Sequence, residues 1–432
     1  MADPRHTHLQ ADVAVIGAGI IGLGIAHEAR RLGRSVVLID PHPASGATFA
    51  AAGMLAPVSE LHYQEEDLLE LMLVSSQQWP SFVESLHQRG RDSGYRTTPT
   101  LAVGADAADR RALADLRSVQ LAAGLGVEPL ALRDARQREP LLSPQISCAF
   151  DIPADHQVDP RKLAACLVAG LSSHEPDHQS WVYGADEGYA VSSPARGLLW
   201  DGGRVAGVQL ESGGLVHARE TVVANGLGAP HLCGLPEGLN LPVRPVYGDI
   251  LRLRVPEHLR PLVSSTVRGM VRGVPVYIVP RDDGTVVIGA TQREDGLSTA
   301  SNAVSAGGVY QLLRDAQVLV PAVAELELLE ATARPRPGTP DNAPLLGRVN
   351  GPNGDVEGLV IATGFFRHGV LLTPVAAKIV GELINGSKDP RWNPFLPDRF
   401  GGNASVSPLL SSAVLTPAVH APAAKTLTEE TA

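Results

Sequence analysis

Gly17, Gly19 and Gly22 stand between the apolar run Val13–Ile16 and a run of small and apolar residues that reads as a helix to about Leu32. Asp40 ends the next apolar run, Ser35–Ile39. These residue types at this spacing suit the grip of a dinucleotide. Gly17 makes the tight turn, Gly19 lets the backbone approach a pyrophosphate, and Gly22 lets the helix pack closely on the strands. The helix N-terminus then faces the phosphates, and Asp40 can accept hydrogen bonds from a ribose diol. An ordinary parallel-sheet turn needs neither three glycines nor the acid. The motif does not separate NAD from FAD.

A second group of candidates is cationic. GLVIATGFFRHGVLLTP carries Arg367 and His368 between Gly364 and Gly369. The run Leu359–Ala362 suits a buried strand, and Val370–Ile384 a packed helix closed by Asn385-Gly386. A guanidinium at the mouth of a helix adds to the positive end of the backbone dipole, which is unfavourable unless an anion arrives. In RPRPGTPDNAPLLGR, Arg334 and Arg336 alternate with prolines, so neither is helical; one of them is expected to be held rigidly, pointing inward. Tyr277 lies in VYIVPRDDGTVVIGAT, where Val276–Val279 and Val286–Gly289 read as a hairpin around Asp283-Gly284. Alternation puts Tyr277 and Val279 on one face. Taken alone, Tyr277 reads as a core tyrosine with a satisfied hydroxyl.

The elements that must position these residues are legible in outline. PHPASGATFAAAGMLAP has no charge from His42 to Val58. Its small side chains permit close approach to a flat ligand, and the amides of Ala47–Thr48 and Ala52–Met54 are placed to bond it. Glu65–Gln88, Ala107–Gly124 and Asp159–Gly170 read as helices, the last with Asp159 as cap and Pro160 in its first turn. Gly94–Val103, Ala195–Trp200, Arg204–Leu210 and His217–Ala224 read as strands, and Ala224–Pro230 as a strand end entering a helix. Leu171–Ser193 is polar and gives no assignment; its histidines read as solvated. Gly401–Ala432 is rich in Ala, Ser, Pro and Thr and reads as a disordered tail.

The chain has 432 residues, 44% hydrophobic and 19% charged, with a net charge of −10. That describes a globular protein of about two domains and argues against a nucleic-acid partner. The only lysines are Lys162, Lys378, Lys388 and Lys425, so arginine carries nearly all the positive charge. Cys148, Cys166 and Cys233 have no metal-type spacing, and no metal is expected. The start shows no signal-peptide pattern and the apolar run Val13–Ala26 is too short for a bilayer. A cytoplasmic protein with no membrane partner is expected.

Four motifs in order carry a resemblance: VIGAGIIGLGIA with Asp40, TFAAAGML, VYIVPRDDGTVVIGAT, and RPGTPDNAPLLGR followed by GFFRHGVLLTP. Over about Ala11–Phe400 the chain resembles the glycine oxidases of the thiamine pathway, within the D-amino-acid oxidase superfamily. The resemblance implies an α/β fold, with a Rossmann-like FAD domain interleaved with an α+β substrate domain on a mostly antiparallel sheet. The segments would be 1–82, 155–243 and 358–400 for FAD, and 83–154 and 244–357 for substrate. FAD is implied over NAD. Related sarcosine oxidases attach it through a cysteine after the substrate sheet; no cysteine follows Cys233 here, so FAD is expected to be non-covalent.

By the same resemblance, the cofactor lies against Gly17, Gly19, Ile20, Ile21, Gly22, Asp40, Ala47, Thr48, Ala52, Gly53 and Met54. It also meets Ala195, near the adenine half, and the stretch Arg367, His368, Gly369, Val370, Leu371, Leu372 and Thr373. Tyr277, Arg336 and Arg367 form a clamp on the carboxylate of a small amino acid. The implied reaction is oxidative deamination of glycine, sarcosine or D-alanine, with molecular oxygen as second substrate and peroxide as product. A homo-oligomer is expected. Two alternatives stay open: a D-amino-acid dehydrogenase passing electrons to a quinone or carrier protein, and a non-catalytic dinucleotide-binding subunit.

Overall fold

The computed structural model describes residues 8–61, 63, 65–86, 91–171, 188–294, 302–351 and 354–401. The tail expected to be disordered begins at Gly401 and otherwise lies outside the described residues, as does most of Leu171–Ser193.

Two sheets organise the chain. At the centre of the first, Val13–Ile16, Val36–Ile39 and Leu359–Ala362 are apolar throughout, as strands covered on both faces must be. Its order is Leu345–Gly347, Leu359–Thr363, Leu215–Val223, His8–Ile16, Val36–Ile39 and Gly188–Val191. All neighbours are parallel except the Leu345–Gly347 edge. Helices Ile20–Arg31, Glu66–Leu86, Pro160–Leu171 and Thr373–Ile384 pack on one face around Leu23, Leu71, Trp79 and Val380. A ribbon of Ala195–Asp201 and Arg204–Leu210 continues the sheet from Leu215–Val223, and Val205, Val208 and Leu210 help close the other core.

The second sheet runs Glu327–Gly338, Arg244–Arg254, Thr285–Gly289, Val274–Pro280, Thr266–Val271, Thr100–Gly104, Cys148–Ile152 and Glu128–Leu130. It is antiparallel except where Thr266–Val271 meets Thr100–Gly104. Register decides which residues share a face. Arg268, Tyr277, Gly289, Ile250 and Thr332 lie in one cross-strand row, so they and their i±2 neighbours point the same way. The reverse face carries Val267, Ile278, Ile288, Leu251 and Leu253, sealed by helix Ala306–Leu319 through Leu312, Ala316 and Leu319. One face is thus core. The other meets the loop after Val36–Ile39, with Ala50 and Ala52 against Ile250, Val279 and Val287.

Several expectations shift. The helix read from Val370 begins at Thr373, after a 3-10 turn at Phe366–His368, because Pro374 suits a first turn. Ala224–Pro230 leads into a 3-10 turn at Gly226–His231. Glu327–Gly338 is a long strand despite Pro335 and Pro337; it is an edge, pairing only with Arg244–Arg254, where missing N–H groups are tolerated. Leu345–Gly347, grouped by sequence with the substrate segments, belongs to the first sheet.

Candidate active site

The glycine turn is built as its spacing demands. Gly17 has φ +100°, and a Cβ on Gly22 would overlap the Gly17 carbonyl oxygen. Gly19 caps the helix Ile20–Arg31 with no side-chain cap and no acid in the first turn, leaving that N-terminus to an external anion. Asp40 accepts from the Ala18 N–H at 2.6 Å and the His42 N–H at 2.7 Å, so it fixes the turn. The Ile20 N–H donates to Thr48 Oγ1 at 3.0 Å. Ile21 is buried in the helix core. Ala195 pairs with Leu210 at the base of the ribbon. Beside Asp40 stands Val191 instead, whose carbonyl accepts the Asp40 N–H at 3.1 Å. The strand that reaches this corner is Gly188–Val191, which the sequence did not disclose.

The segment 45–54 is held from outside by arginines. Arg334 donates to the Ser45 carbonyl at 3.1 Å, Arg161 to Phe49 at 2.9 Å, and Arg252 to Phe49 at 3.3 Å. Buried Arg281 bonds the carbonyls of Ala52 and Val158; burial draws its pKa down to about 10. The Phe49 ring lies 3.6 Å from the Arg161 guanidinium carbon and 5.3 Å from that of Arg334, both in cation–π range. Gly53, with φ +74°, packs so tightly on Val158 and Pro160 that a Cβ would overlap them, and the next residue, Met54, pairs with Gln157. The carbonyls of this loop are thus turned toward the second sheet.

At the helix mouth, the Leu371 carbonyl accepts from Ser75 Oγ at 2.7 Å and Trp79 Nε1 at 2.9 Å. The Leu372 N–H bonds the His368 carbonyl, and Thr373 Oγ1 bonds that of Gly369. The N–H groups of Gly369, Val370 and Leu371 have no acceptor among the described residues, so they suit an electron-rich ring edge. His368 is 2% exposed. Together the glycine turn, the loop and these amides fit FAD.

Arg367 at that mouth is matched by carboxylates of this chain. Its Nε lies 3.1 Å from Glu60 and its Nη2 bonds Glu65. Glu60 also bonds Arg268, and Glu65 accepts from Asn342 at 3.1 Å. The turn before Glu60 is pinned by Asp155, which accepts from the Val58 and Ser59 N–H groups at 2.9 and 3.0 Å; burial pushes that carboxyl up to about 6. Burial also acts to raise Glu60, but Arg268 and then Arg367 outweigh it and hold Glu60 at about 2.

Arg336 differs. It is half-buried, and its guanidinium has no hydrogen bond or ion pair among the described residues. It lies flat over Gly248, where any Cβ would overlap it. The Tyr277 hydroxyl lies over Gly289 in the same way and is likewise without a hydrogen-bond partner among the described residues. Burial pushes Tyr277 up to about 12, against the pull of Arg336, so the hydroxyl keeps its proton at neutral pH. Tyr277 is therefore not a core tyrosine with its hydroxyl satisfied. Arg334 and Arg336, two residues apart on one face, part company: one ties a loop, the other stays open. Arg336, Arg367 and Arg268 against Glu60 and Glu65 leave one positive charge, which a single carboxylate balances.

Sequence reasoning missed Glu60, Glu65, Arg268, Arg252 and Arg281. No local pattern marks them; only the register opposite Tyr277 would have indicated Arg268. Among the described residues no His/Cys/Asp/Glu group is arranged to hold a metal, and no helix is long and apolar enough to cross a membrane.

The chain is similar to known proteins over most of its length. The profile of the FAD dependent oxidoreductase family matches residues 12–383. The bifunctional protein ThiO/ThiG of Trichormus variabilis is 31% identical over 405 residues; these are 93% of this chain, which spans only 57% of that protein. Glycine oxidase of Geobacillus kaustophilus is 34% identical, covering 86% of this chain and 92% of its own. The crystal structure of glycine oxidase from Geobacillus kaustophilus superposes with a TM-score of 0.79 at 29% identity, over 91% of this chain and 100% of that one.

Proposed function

This chain belongs to the FAD dependent oxidoreductase family, and from that premise we propose that it oxidises small amino acids, glycine foremost, to the imine, which water then hydrolyses to keto acid and ammonia. The observation that carries the reading is the open pair Arg336 and Tyr277 beside a cradle fitted to FAD. The glycine oxidases among its relatives support it.

When bound, FAD supplies the two-electron acceptor. Arg336 presents a planar fork that takes a carboxylate through two parallel bonds, which orients as well as binds. Tyr277, protonated throughout the neutral range, donates a third. Arg367, expected from the resemblance to share that carboxylate, instead holds Glu60 and Glu65 at the wall of the site. With the carboxylate pinned, the substrate's Cα is held in one orientation. Positioning is the main contribution of the side chains, and no acid–base dyad is required. Transfer of electrons to oxygen yields peroxide. The imine released from glycine is also the form a thiazole-building step of thiamine synthesis would consume.

An aerobic peroxide assay with glycine, sarcosine, D-alanine, D-phenylalanine and L-amino acids tests the reading. Small substrates should turn over fastest. Turnover with dye but none with oxygen would identify a dehydrogenase instead, and no bleaching of the flavin by any amino acid would leave only a binding protein. In the same preparation, acid or heat should release the flavin into the supernatant, since the last cysteine, Cys233, lies in the first-sheet segment. Colour retained by the precipitated chain would show a covalent link.

A further inference from the structure

Among the described residues three guanidiniums lie at the site, Arg268, Arg336 and Arg367, and of these Arg336 alone is open. Arg336 has no acid among the described residues, whereas Arg367 is held by Glu60 and Glu65. The two acids are not equivalent. Glu60 is fixed twice more, by its bond to Arg268 and by the turn that Asp155 pins. Among the described residues the Glu65 carboxylate has only the amide of Asn342 besides Arg367. It directly precedes helix Glu66–Leu86, so its side chain can leave Arg367 without disturbing the strands of either sheet.

We propose that Glu65 is a built-in occupant of a second anion subsite at Arg367, which makes it a specificity-determining residue: the site takes monocarboxylates and turns away dicarboxylates. This rests on the reading of Arg336 and Tyr277 as the carboxylate clamp. A ligand with one carboxylate fills Arg336 and leaves the Glu65–Arg367 pair intact. A second carboxylate on the same ligand must displace Glu65, which is tethered and therefore present at an effective concentration of millimolar or more. Should that carboxylate fail to displace it, the two acids repel within a partly desolvated site.

Calorimetric titration of the FAD-loaded protein with acetate, malonate, succinate and glutarate tests this without turnover. Wild type should bind acetate better than any of the diacids. In Glu65→Gln, whose amide oxygen can still accept from Asn342, acetate, which reaches one guanidinium at a time, should gain less than a diacid that spans Arg336 and Arg367. At least one diacid should gain about ten- to a hundred-fold, the worth of one charge-assisted contact. Adding Arg367→Met to that variant should abolish the gain. Glu65→Asp, which keeps the charge but withdraws it by one methylene, should fall between and serves where Glu65→Gln does not hold FAD. Unchanged diacid affinity in both Glu65 variants, or a gain that survives Arg367→Met, would overturn the proposal. A folded, FAD-loaded wild type that binds no acetate would overturn the clamp itself and with it this inference.

Discussion

Replacing Arg336 by alanine lowers kcat/KM for glycine by roughly 30- to several-thousand-fold, while FAD stays bound. The range corresponds to about 2–5 kcal/mol, the loss seen when one partner of a desolvated charge pair is truncated. The structure says why the effect should fall on substrate and spare the cofactor. Arg336 touches the cross-strand face of the second sheet and is tied to no backbone of the cofactor loop, unlike its neighbour Arg334. A small amine without a carboxylate is the control. Wild type should prefer glycine to it by a large factor, and the variant should have lost most of that preference. Lysine at 336 should recover only part, because an ammonium cannot make the planar fork. Gly248→Ala should act in the same direction with the charge unchanged, since its Cβ would occupy the place of the guanidinium. Equal loss for both substrates would mean that Arg336 organises the site without reading the carboxylate.

The second large effect is on stability. Arg268→Met should lower unfolding free energy by about 3–5 kcal/mol, the cost of leaving the other member of a buried pair uncompensated. Glu60 keeps only Arg367 in that variant. Adding Glu60→Leu should restore much of the loss, because two charges are then exchanged for apolar volume. The pH dependence follows from the folded pKa of about 2 for Glu60 against an ordinary 4.5. Its folded value is depressed, so its contribution, on the order of 3 kcal/mol, is fully present above about pH 4.5 and is lost as pH falls toward 2. Denaturant titrations at pH 7, 4 and 3 should show the gap between wild type and Glu60→Gln narrowing in acid. A gap that stays constant to pH 3 would remove Glu60 from the lattice.

The glycine turn was legible because every part of it is local: Gly17, Gly19, Gly22 and Asp40 lie within one strand–helix–strand unit. The hairpin around Asp283-Gly284 was legible for the same reason, and so was the pairing of Tyr277 with Val279 on one face. Arg334 and Arg336 could not be separated by pattern, since residues two apart on a strand face the same way. What distinguishes them is what lies beyond, Ser45 and Phe49 for one and Gly248 for the other. Glu60, Glu65 and Arg268 were invisible because their meaning comes from meeting partners more than two hundred positions away in the chain. The strand Gly188–Val191 was missed because it is short and hydrogen-bonds to Val36–Ile39, far back in sequence. In Glu327–Gly338 the prolines that excluded a helix also masked a strand.

The arginines that hold the carbonyls of Ser45, Phe49 and Ala52, from the second sheet, the turn after it and the helix Pro160–Leu171, make the cofactor loop's path nearly independent of its alanine side chains. Whatever small residue stands at Ala47, Ala51 or Ala52, the peptide planes are rotated by contacts that read only backbone oxygen. Drift at those alanines should therefore be nearly silent as long as bulk is not added, whereas Thr48 and Phe49 keep side-chain contacts of their own. Constraint is displaced onto Arg161, Arg252, Arg281 and Arg334, residues that belong to other segments and look from their own surroundings like ordinary structural arginines. A variant found at one of those four positions would present as a flavin-binding defect with an unaltered dinucleotide motif, and its origin would be sought in the wrong part of the chain.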